Sequence, residues 1–172
     1  SAALVSVPRG VLASARGLRP FACALTAQER TAIPFDRAPA VTDSNRARGC
    51  GHLRVGRRGV ASVLRDLSQS GSGKLLFPRH GTGALQAVWL NTAGGITGGD
   101  RFALSAEAET GAALSLTTQA AERIYRAQPG APGEVHTVLT AGAGARMDGL
   151  AQETILFDGA ALDRRLDIRM TA

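Results

Sequence analysis

The sequence is poor in aromatic residues, cysteine and histidine, and each shortage excludes a class of protein. Phe, Trp and Tyr make up 4% of the 172 residues, too few for the aromatic platforms on which single-stranded nucleic acids stack. Cys23 and Cys50 are too few for the disulfide framework of a small secreted domain, so we expect two free thiols in a reducing cytoplasm. Three scattered histidines lack the spacing of a zinc finger or an HExxH helix, which excludes those closed metal sites.

Long hydrophobic runs are also missing. No apolar run approaches the roughly 18 residues that span a bilayer, so no membrane-spanning helix is predicted. Hydrophobic residues nevertheless make up 44% of the chain and are mostly Ala, Leu and Val. The sequence therefore predicts one domain whose core is built from small aliphatic side chains.

The net charge of +6 is unevenly distributed. Residues 1–80 carry 12 Arg and one Lys against four acidic residues, a net charge of +9, whereas residues 81–172 carry seven Arg against ten acidic residues, a net charge of −3. The basic residues lie among Pro, Gly, Ser and Ala without interleaved aromatics, which favours a solvated leader over a nucleic-acid groove. Nucleic acid is not an expected partner, although a basic nucleic-acid-binding module stays an alternative.

Residues 1–48 are predicted to form a flexible basic extension. Four prolines interrupt any long helix there: Pro8, Pro20, Pro34 and Pro39. The high Arg, Ala and Ser content is also typical of an organellar transit peptide, which is the alternative. The folded domain is predicted over residues 49–172.

From about Gly51 the sequence changes to short alternating runs that are typical of β-strands. In FALSAEAETGAALSLTTQ, apolar and polar residues alternate on both sides of Thr110-Gly111, which predicts a hairpin. The same pattern returns between residues 135 and 157. Gly-Ala pairs introduce three alternating runs, at 111–112, 144–145 and 159–160. They indicate stacked or meandering strands, although their spacing is too uneven for a strict repeat.

One segment, TQAAERIYRAQPG, predicts a helix. Four of its residues would share one helix face: Ala120, Ala121, Ile124 and Tyr125. Pro129-Gly130 would end the helix. A strand through the same residues is the alternative. The whole sequence predicts a mainly β fold with one or two short helices.

The motif NTAGGITGGDR, residues 91–101, contains two glycine pairs. A dinucleotide-binding turn has the pattern GxGxxG and leads into a helix, whereas here the pattern is GGxxGG and an alternating strand follows from Phe102. The glycines are therefore predicted to allow positive φ angles and close backbone packing in a tight turn between strands. These four glycines are Gly94, Gly95, Gly98 and Gly99. A nucleotide-binding enzyme that uses the Gly94–Gly99 loop stays an alternative.

Other catalytic patterns are incomplete. The segment SQSGSGKLL resembles a P-loop, but Ser68 stands at the position of the first glycine and Leu75 at that of the metal-binding hydroxyl. No GxSxG elbow is present. Acid/base pairs are possible among five carboxylates, although exposed strands routinely carry acids. They are Asp100, Glu122, Asp148, Glu153 and Asp158.

Three ordered motifs resemble the UreD family of urease accessory proteins, also named UreH. They are LNTAGGITGGDRF, LTTQAAERIYRA and LAQETILFDGAALDRRLDI, at residues 90–102, 116–127 and 150–168. The resemblance covers roughly Gly51 to Ala172. It implies a stacked, helix-like β-sheet architecture that is incomplete at the C-terminus, because family members continue beyond the point where this sequence stops.

The resemblance also implies a function, that of a non-enzymatic scaffold in the cytoplasm. The scaffold would bind apo-urease and UreF, and through UreF the GTPase UreG, so that nickel is inserted into urease. No cofactor would be bound stably, and nickel would pass in transit on weak, replaceable oxygen ligands. Asp100 is expected to line or gate that path, with a turn-capping role or an ion pair with Arg101 or another neighbour as the alternative. Glu122 and Glu153 are the further candidates.

Overall fold

The computed structural model describes residues 3–5, 45–78 and 83–171, and in these ranges the chain forms β-strands and turns. The strands are β1 (Ala3–Val5), β2 (Arg48–Arg58), β3 (Ala61–Gly71), β4 (Gly73–Leu76), β5 (Leu85–Asn91), β6 (Arg101–Ala108), β7 (Ala113–Thr118), β8 (Glu122–Ile124), β9 (Gly133–Ala141), β10 (Arg146–Leu150), β11 (Thr154–Leu156) and β12 (Leu162–Met170). The predicted mainly β fold is confirmed. None of the described residues lies in a helix, so none lies in a helix that could cross a membrane.

The strands form three sheets. One has five strands in the order β12-β9-β6-β2-β3, one has four in the order β10-β7-β5-β4, and one has three short strands in the order β1-β11-β8. β2 and β3 form an antiparallel hairpin with a register shift between Arg54 and Val55. Most of the other pairings are parallel, which requires the chain to leave a sheet and return to it.

From β5 onward the chain winds through the sheets in successive coils. The first coil contains β5 and β6, the second β7, β8 and β9, and the third β10, β11 and β12. Equivalent strands of successive coils lie parallel and in register, so that Phe102 of β6 pairs with Val135 of β9, which pairs with Arg164 of β12. In the third sheet Ile96 of the first coil bridges Ile124 of β8. The prediction of stacked strands is confirmed.

The predicted hairpin around Thr110-Gly111 is wrong in its pairing, although both strands and the turn are present. β6 belongs to the five-stranded sheet and β7 to the four-stranded sheet. The turn is a corner of the coil: the N–H of Gly111 donates to the C=O of Ala143 in the next coil, at 3.0 Å. Alternation of apolar residues reports which face of a strand is buried but not which strand lies beside it, so the same pattern suits a hairpin and a corner.

The helix predicted in TQAAERIYRAQPG and the prediction of one or two short helices are wrong for the described residues. The segment contains the strand β8 instead. Its main-chain groups bond to neighbouring coils: the N–H of Tyr125 donates to Ile96 at 2.7 Å, and the C=O of Ile124 accepts from Phe157 at 3.0 Å. Tertiary hydrogen bonds thus override a weak local preference for helix.

The core lies between the five-stranded and four-stranded sheets. It is largely aliphatic, as the composition predicted, with two large aromatic side chains, Phe102 and Trp89, that are 2% and 8% exposed. The fully buried aliphatic side chains around them include Leu53, Val55, Ile96, Leu114 and Ile124. The buried side chains of the two sheets belong to one hydrophobic cluster.

The predicted extension at residues 1–48 lies mostly outside the described residues. Ala3–Val5 is described, and it pairs antiparallel with Thr154–Leu156 of β11. Regular structure resumes at Arg48, the first residue of β2. The flexibility of the extension stays a prediction.

Candidate functional site

The glycine turn, residues 92–100, carries the chain from β5 to β6, that is, from the four-stranded sheet into the five-stranded sheet. Midway it touches the third sheet, because the N–H of Ile96 donates to the C=O of Arg123 at 2.8 Å. The turn is therefore one complete corner of the first coil. Between Gly95 and Gly98 it lies against the second coil, which is why the backbone has little room for side chains at these two glycines.

The two glycine pairs divide between two physical tasks. Gly94 and Gly99 have φ angles of +83° and +82°, a conformation that costs other residues free energy. Gly95 and Gly98 are needed for space instead: a Cβ on Gly95 would lie 2.4 Å from the ring of Tyr125, and one on Gly98 would lie 2.9 Å from a main-chain oxygen of the second coil. The inner glycines of the pattern GGxxGG thus allow close packing, and the outer ones set the direction of the chain.

The main-chain N–H groups of the turn are largely occupied by acceptors within the protein. Acceptors are present for Thr92, Ala93, Gly94, Ile96, Thr97, Gly99 and Asp100. A phosphate cradle needs several convergent N–H groups that point at the ligand. The turn is followed by β6 and not by a helix, so the dipole that favours an anion is missing as well. Its geometry is that of a structural corner.

Asp100 closes the turn with both oxygens of its carboxylate. Oδ1 accepts a hydrogen bond from the N–H of Ala47 and Oδ2 accepts one from the N–H of Thr97, each at 2.9 Å. The side chain is 5% exposed. The C=O of Asp100 accepts from the N–H of Glu134 in β9 at 2.8 Å. One residue therefore connects the entry to β2, the glycine turn and the second coil.

The ion pair between Arg101 and Asp100, one of the predicted alternatives, is not formed. The guanidinium of Arg101 lies 3.3 Å from a carboxylate oxygen of Glu134, the residue beside it in the parallel register. Both side chains are partly buried, at 18% and 25% exposure. This ion pair ties the first coil to the second directly beside Asp100.

The two further candidates, Glu122 and Glu153, lie next to each other in successive coils. The N–H of Glu122 donates to the C=O of Glu153 at 2.8 Å, because β8 and β11 are stacked. The carboxylate of Glu122 forms an ion pair with Arg164, whose guanidinium also donates to the hydroxyl of Thr154 at 2.7 Å. The Glu153 side chain is exposed. Among the described residues no group of three or more His, Cys, Asp or Glu side chains could hold a metal ion.

Sequence reasoning missed a polar cluster on the outer side of the five-stranded sheet. His136 is 4% exposed, and its Nε2 lies 2.8 Å from Oδ2 of Asp167, whose Oδ1 accepts from Arg165 at 3.0 Å. Partial burial raises the pKa of Asp167, but the hydrogen bonds from His136 and Arg165 and their positive charge lower it more, to below its usual value of 3.8. His136 and Asp167 are 31 residues apart in sequence, so only the stacking of β9 and β12 reveals the pair.

Comparison with known proteins decides the family. The family model described as "UreD urease accessory protein" matches residues 47–172, which include the glycine turn and all three coils. The chain belongs to the UreD family. This confirms the resemblance of the three motifs. The matched residues include the corner closed by Asp100.

Several curated UreD proteins are similar to this chain. The urease accessory protein UreD of Ruegeria pomeroyi is 57% identical over 112 residues, which are 65% of this chain and 44% of that protein. UreD of Rhizobium rhizogenes is 49% identical over 131 residues, 76% of this chain and 48% of its own length. UreD 3 of a Bradyrhizobium species is 44% identical over 141 residues, which are 82% of this chain and 50% of that protein. The chain spans about half the length of the curated relatives it matches.

Proposed function

We propose that this chain acts in urease maturation, as a non-enzymatic scaffold that binds apo-urease and UreF, and UreG through UreF, while nickel is inserted. The observation that carries the proposal is the UreD family match across residues 47–172. Relatives that share 44–57% of aligned residues bear the name urease accessory protein. GTP hydrolysis would belong to UreG, and the site of action would be the cytoplasm.

The stacked coils suit a scaffold because they present side chains from distant parts of the sequence on fixed surfaces. Stacked β-units bury a continuous core and contact mainly their neighbours, so their outer faces are held rigidly without a ligand. Here the corners are fastened by main-chain bonds between coils, and the ion pairs Arg101–Glu134 and Arg164–Glu122 add side-chain links. A partner would meet a preformed surface.

For nickel, the proposal concerns an ion in transit that needs exchangeable oxygen ligands. A carboxylate has about four acceptor positions, and the two main-chain donors to Asp100 leave some of them for a further contact. Its low exposure and its two hydrogen bonds favour turn closure as the principal role of Asp100, and contact with nickel would be additional. Glu122 is engaged by Arg164, so its carboxylate is a weaker candidate.

Co-purification with UreF tests the partner assignment. Residues 47–172 would replace the matched region of the Ruegeria pomeroyi UreD, because the chain spans less than half of that relative. The tagged chimera is expected to retain co-expressed UreF, and UreG only when UreF is present. A well-folded chimera that retains neither protein, while the parent UreD retains both, would contradict the assignment.

Two alternatives are tested on the 172-residue chain itself. An enzyme that uses the Gly94–Gly99 loop would bind ATP, GTP or NAD saturably, and the occupied N–H groups of the turn predict that calorimetry detects no such binding. A basic module in residues 1–48 would bind nucleic acid with a steep dependence on salt concentration, and binding would vanish when those residues are deleted.

A further inference from the structure

The hairpin of β2 and β3 ends in a strongly exposed two-residue turn. Arg58 pairs with Ala61, so Gly59 and Val60 form the turn, and Val60 is 92% exposed. The turn joins two consecutive strands, so it does not arise from the end of the sequence. The hairpin also lies at the opposite edge of the five-stranded sheet from β12. These two edges are four strand spacings apart, about 19 Å, and a strand added beyond β12 would lie farther still.

Two arginine side chains at this turn are held by main-chain carbonyl groups. Nε of Arg57 donates to the C=O of Gly59 at 2.9 Å, and a terminal nitrogen of the same side chain donates to the C=O of Gly111 at 3.3 Å. Arg65 donates to the C=O of Arg57 at 2.9 Å. A carbonyl acceptor fixes a guanidinium without neutralising its charge, whereas a carboxylate does both. The positive charges are therefore fixed in place and stay available.

The surface formed by residues 57–60 and Arg65 is named the hairpin tip, and its net charge is positive. Among the described residues, no carboxylate forms an ion pair with Arg57, Arg58 or Arg65. The carboxylate beside the hairpin belongs to Glu109 and pairs with Arg54, at 3.6 Å. The hairpin tip thus presents three arginines around one exposed valine.

The base of the hairpin is fastened to the corner between β6 and β7. The N–H of Glu109 donates to the C=O of Val55 at 2.8 Å. The N–H of Ala113 donates to the hydroxyl of Ser62, also at 2.8 Å. Together with the bond from Arg57 to Gly111, these contacts hold the hairpin against the first coil. A partner would lose little free energy in ordering a surface that is already fixed.

An apolar centre within a charged border is the composition of a protein interface, in which arginine is enriched. Phosphates of a nucleic acid would suit the arginines but not Val60. We infer that the hairpin tip binds an acidic protein surface, with Val60 in a small apolar pocket and the three arginines facing carboxylates around it. The inference rests on the proposed scaffold function, which supplies UreF and apo-urease as the proteins to test.

The chimera that carries residues 47–172 within the Ruegeria pomeroyi UreD provides the test, because it is a polypeptide of full length. Arg58→Glu and Val60→Asp change the hairpin tip but keep the hydrogen bonds that hold it. Biolayer interferometry measures the Kd for purified UreF and for purified apo-urease separately. For one of the two proteins, each variant is expected to weaken binding at least roughly tenfold, because it places a negative charge opposite carboxylates.

Salt dependence and two control variants separate this electrostatic role from a loss of structure. Binding of that protein by the unaltered chimera is expected to weaken between about 50 and 300 mM NaCl, and Arg58→Glu should reduce this dependence. Arg58→Lys keeps the charge and should keep most of the affinity. Arg123→Glu makes the same change of charge at an exposed position of β8 and should bind both proteins normally.

Accessibility of the hairpin tip in the complete polypeptide is measured on Val60→Cys. Its maleimide labelling is compared with that of the chimera without this change. Rapid additional labelling is expected in the free chimera, and protection is expected in the complex. No additional labelling of the free, folded chimera would show that the rest of the polypeptide covers the hairpin tip, and would overturn the inference.

The remaining outcomes distinguish this inference from the proposed function. Unchanged affinity of Arg58→Glu and Val60→Asp for both proteins would overturn the inference alone. If the unaltered chimera binds neither protein although the parent UreD binds both, the proposed function and the inference fail together. A DNA duplex that binds the unaltered chimera but not Arg58→Glu, while UreF and apo-urease bind both equally, would assign the hairpin tip to nucleic acid and overturn the inference.

Discussion

The main-chain N–H of Ala47 donates a hydrogen bond of 2.9 Å to Oδ1 of Asp100, 53 residues further along the chain. The C=O of Ala47 accepts from the N–H of Arg101 at 2.9 Å, so both main-chain groups of Ala47 bond to the end of the glycine turn. The start of the matched family region and the first corner of the coil are thereby fixed to each other. Asp100 is central to this connection because its other oxygen holds Thr97.

Replacing Asp100 with Ala is expected to destabilise the chain by about 3 kcal/mol, because two partly buried N–H groups lose a charged acceptor. Asp100→Asn should lose less stability, since its side-chain carbonyl oxygen can still accept one of the two hydrogen bonds. Urea unfolding followed by circular dichroism measures both. Asp158→Ala is the matched control: its side chain is 72% exposed and pairs with Arg126 at the surface, so a loss within about 1 kcal/mol is expected. Equal stability of Asp100→Ala and the unaltered chain would contradict the closing role of this carboxylate.

Substitution by asparagine distinguishes the glycines that need a positive φ from those that need space, because asparagine tolerates positive φ better than most residues. Gly94→Asn is expected to cost at most about 1 kcal/mol, because nothing lies within 4 Å of a Cβ there and only the conformation changes. Gly95→Asn should cost about 2 kcal/mol or more, because its Cβ would meet Tyr125 and the C=O of Arg123. Thermal unfolding compares the two. Similar losses in both variants would show that space at Gly95 does not limit the turn.

The pair His136–Asp167 predicts how stability depends on pH in acid. The pKa of Asp167 is lower in the folded chain than its usual value of 3.8, so its ionised form stabilises the fold above that pH. This contribution is lost as pH falls through the lowered folded pKa. Asp167→Asn should therefore flatten the loss of stability on acidification below pH 3.8. Urea unfolding over a pH series measures the slope, and Asp163→Asn on the same strand is the control. If the free energy of unfolding falls equally steeply with acidification in Asp167→Asn and in the unaltered chain, the stabilising role assigned to ionised Asp167 is wrong.

Several strands of this fold can be predicted from the sequence, whereas the strands that lie beside them cannot. Alternation in FALSAEAETGAALSLTTQ correctly indicates two strands and the turn at Thr110-Gly111, because burial of one face is a local pattern. The pairing depends on residues of other coils: β6 lies beside β2 and β9, and β7 beside β5 and β10. The helix prediction for the segment of β8 was wrong for the same reason, because hydrogen bonds from Ile96 and Phe157 in other coils fix its structure as a strand.

Only the local part of the candidate site could be predicted from the sequence. The incomplete phosphate-binding pattern of the glycine motif and the strand that follows it are visible in the sequence, and they favour a structural turn. The acceptors that occupy its N–H groups are not visible, because several belong to other strands or coils. The ion pair of Glu122 with Arg164 spans 42 residues and was equally hidden. Motifs therefore located the corner, and only the stacking of coils showed what each residue contacts.

Nickel loading of urease tests the central proposal most directly. The chimera that carries residues 47–172 within the Ruegeria pomeroyi UreD would be expressed with urease and its other accessory proteins in a host without UreD. The nickel content of the purified urease is the measurement. We predict nickel content close to that obtained with the parent UreD, and far above that obtained without any UreD. Urease that stays at the level without UreD, although the chimera is folded and abundant, would contradict the proposed role in urease maturation.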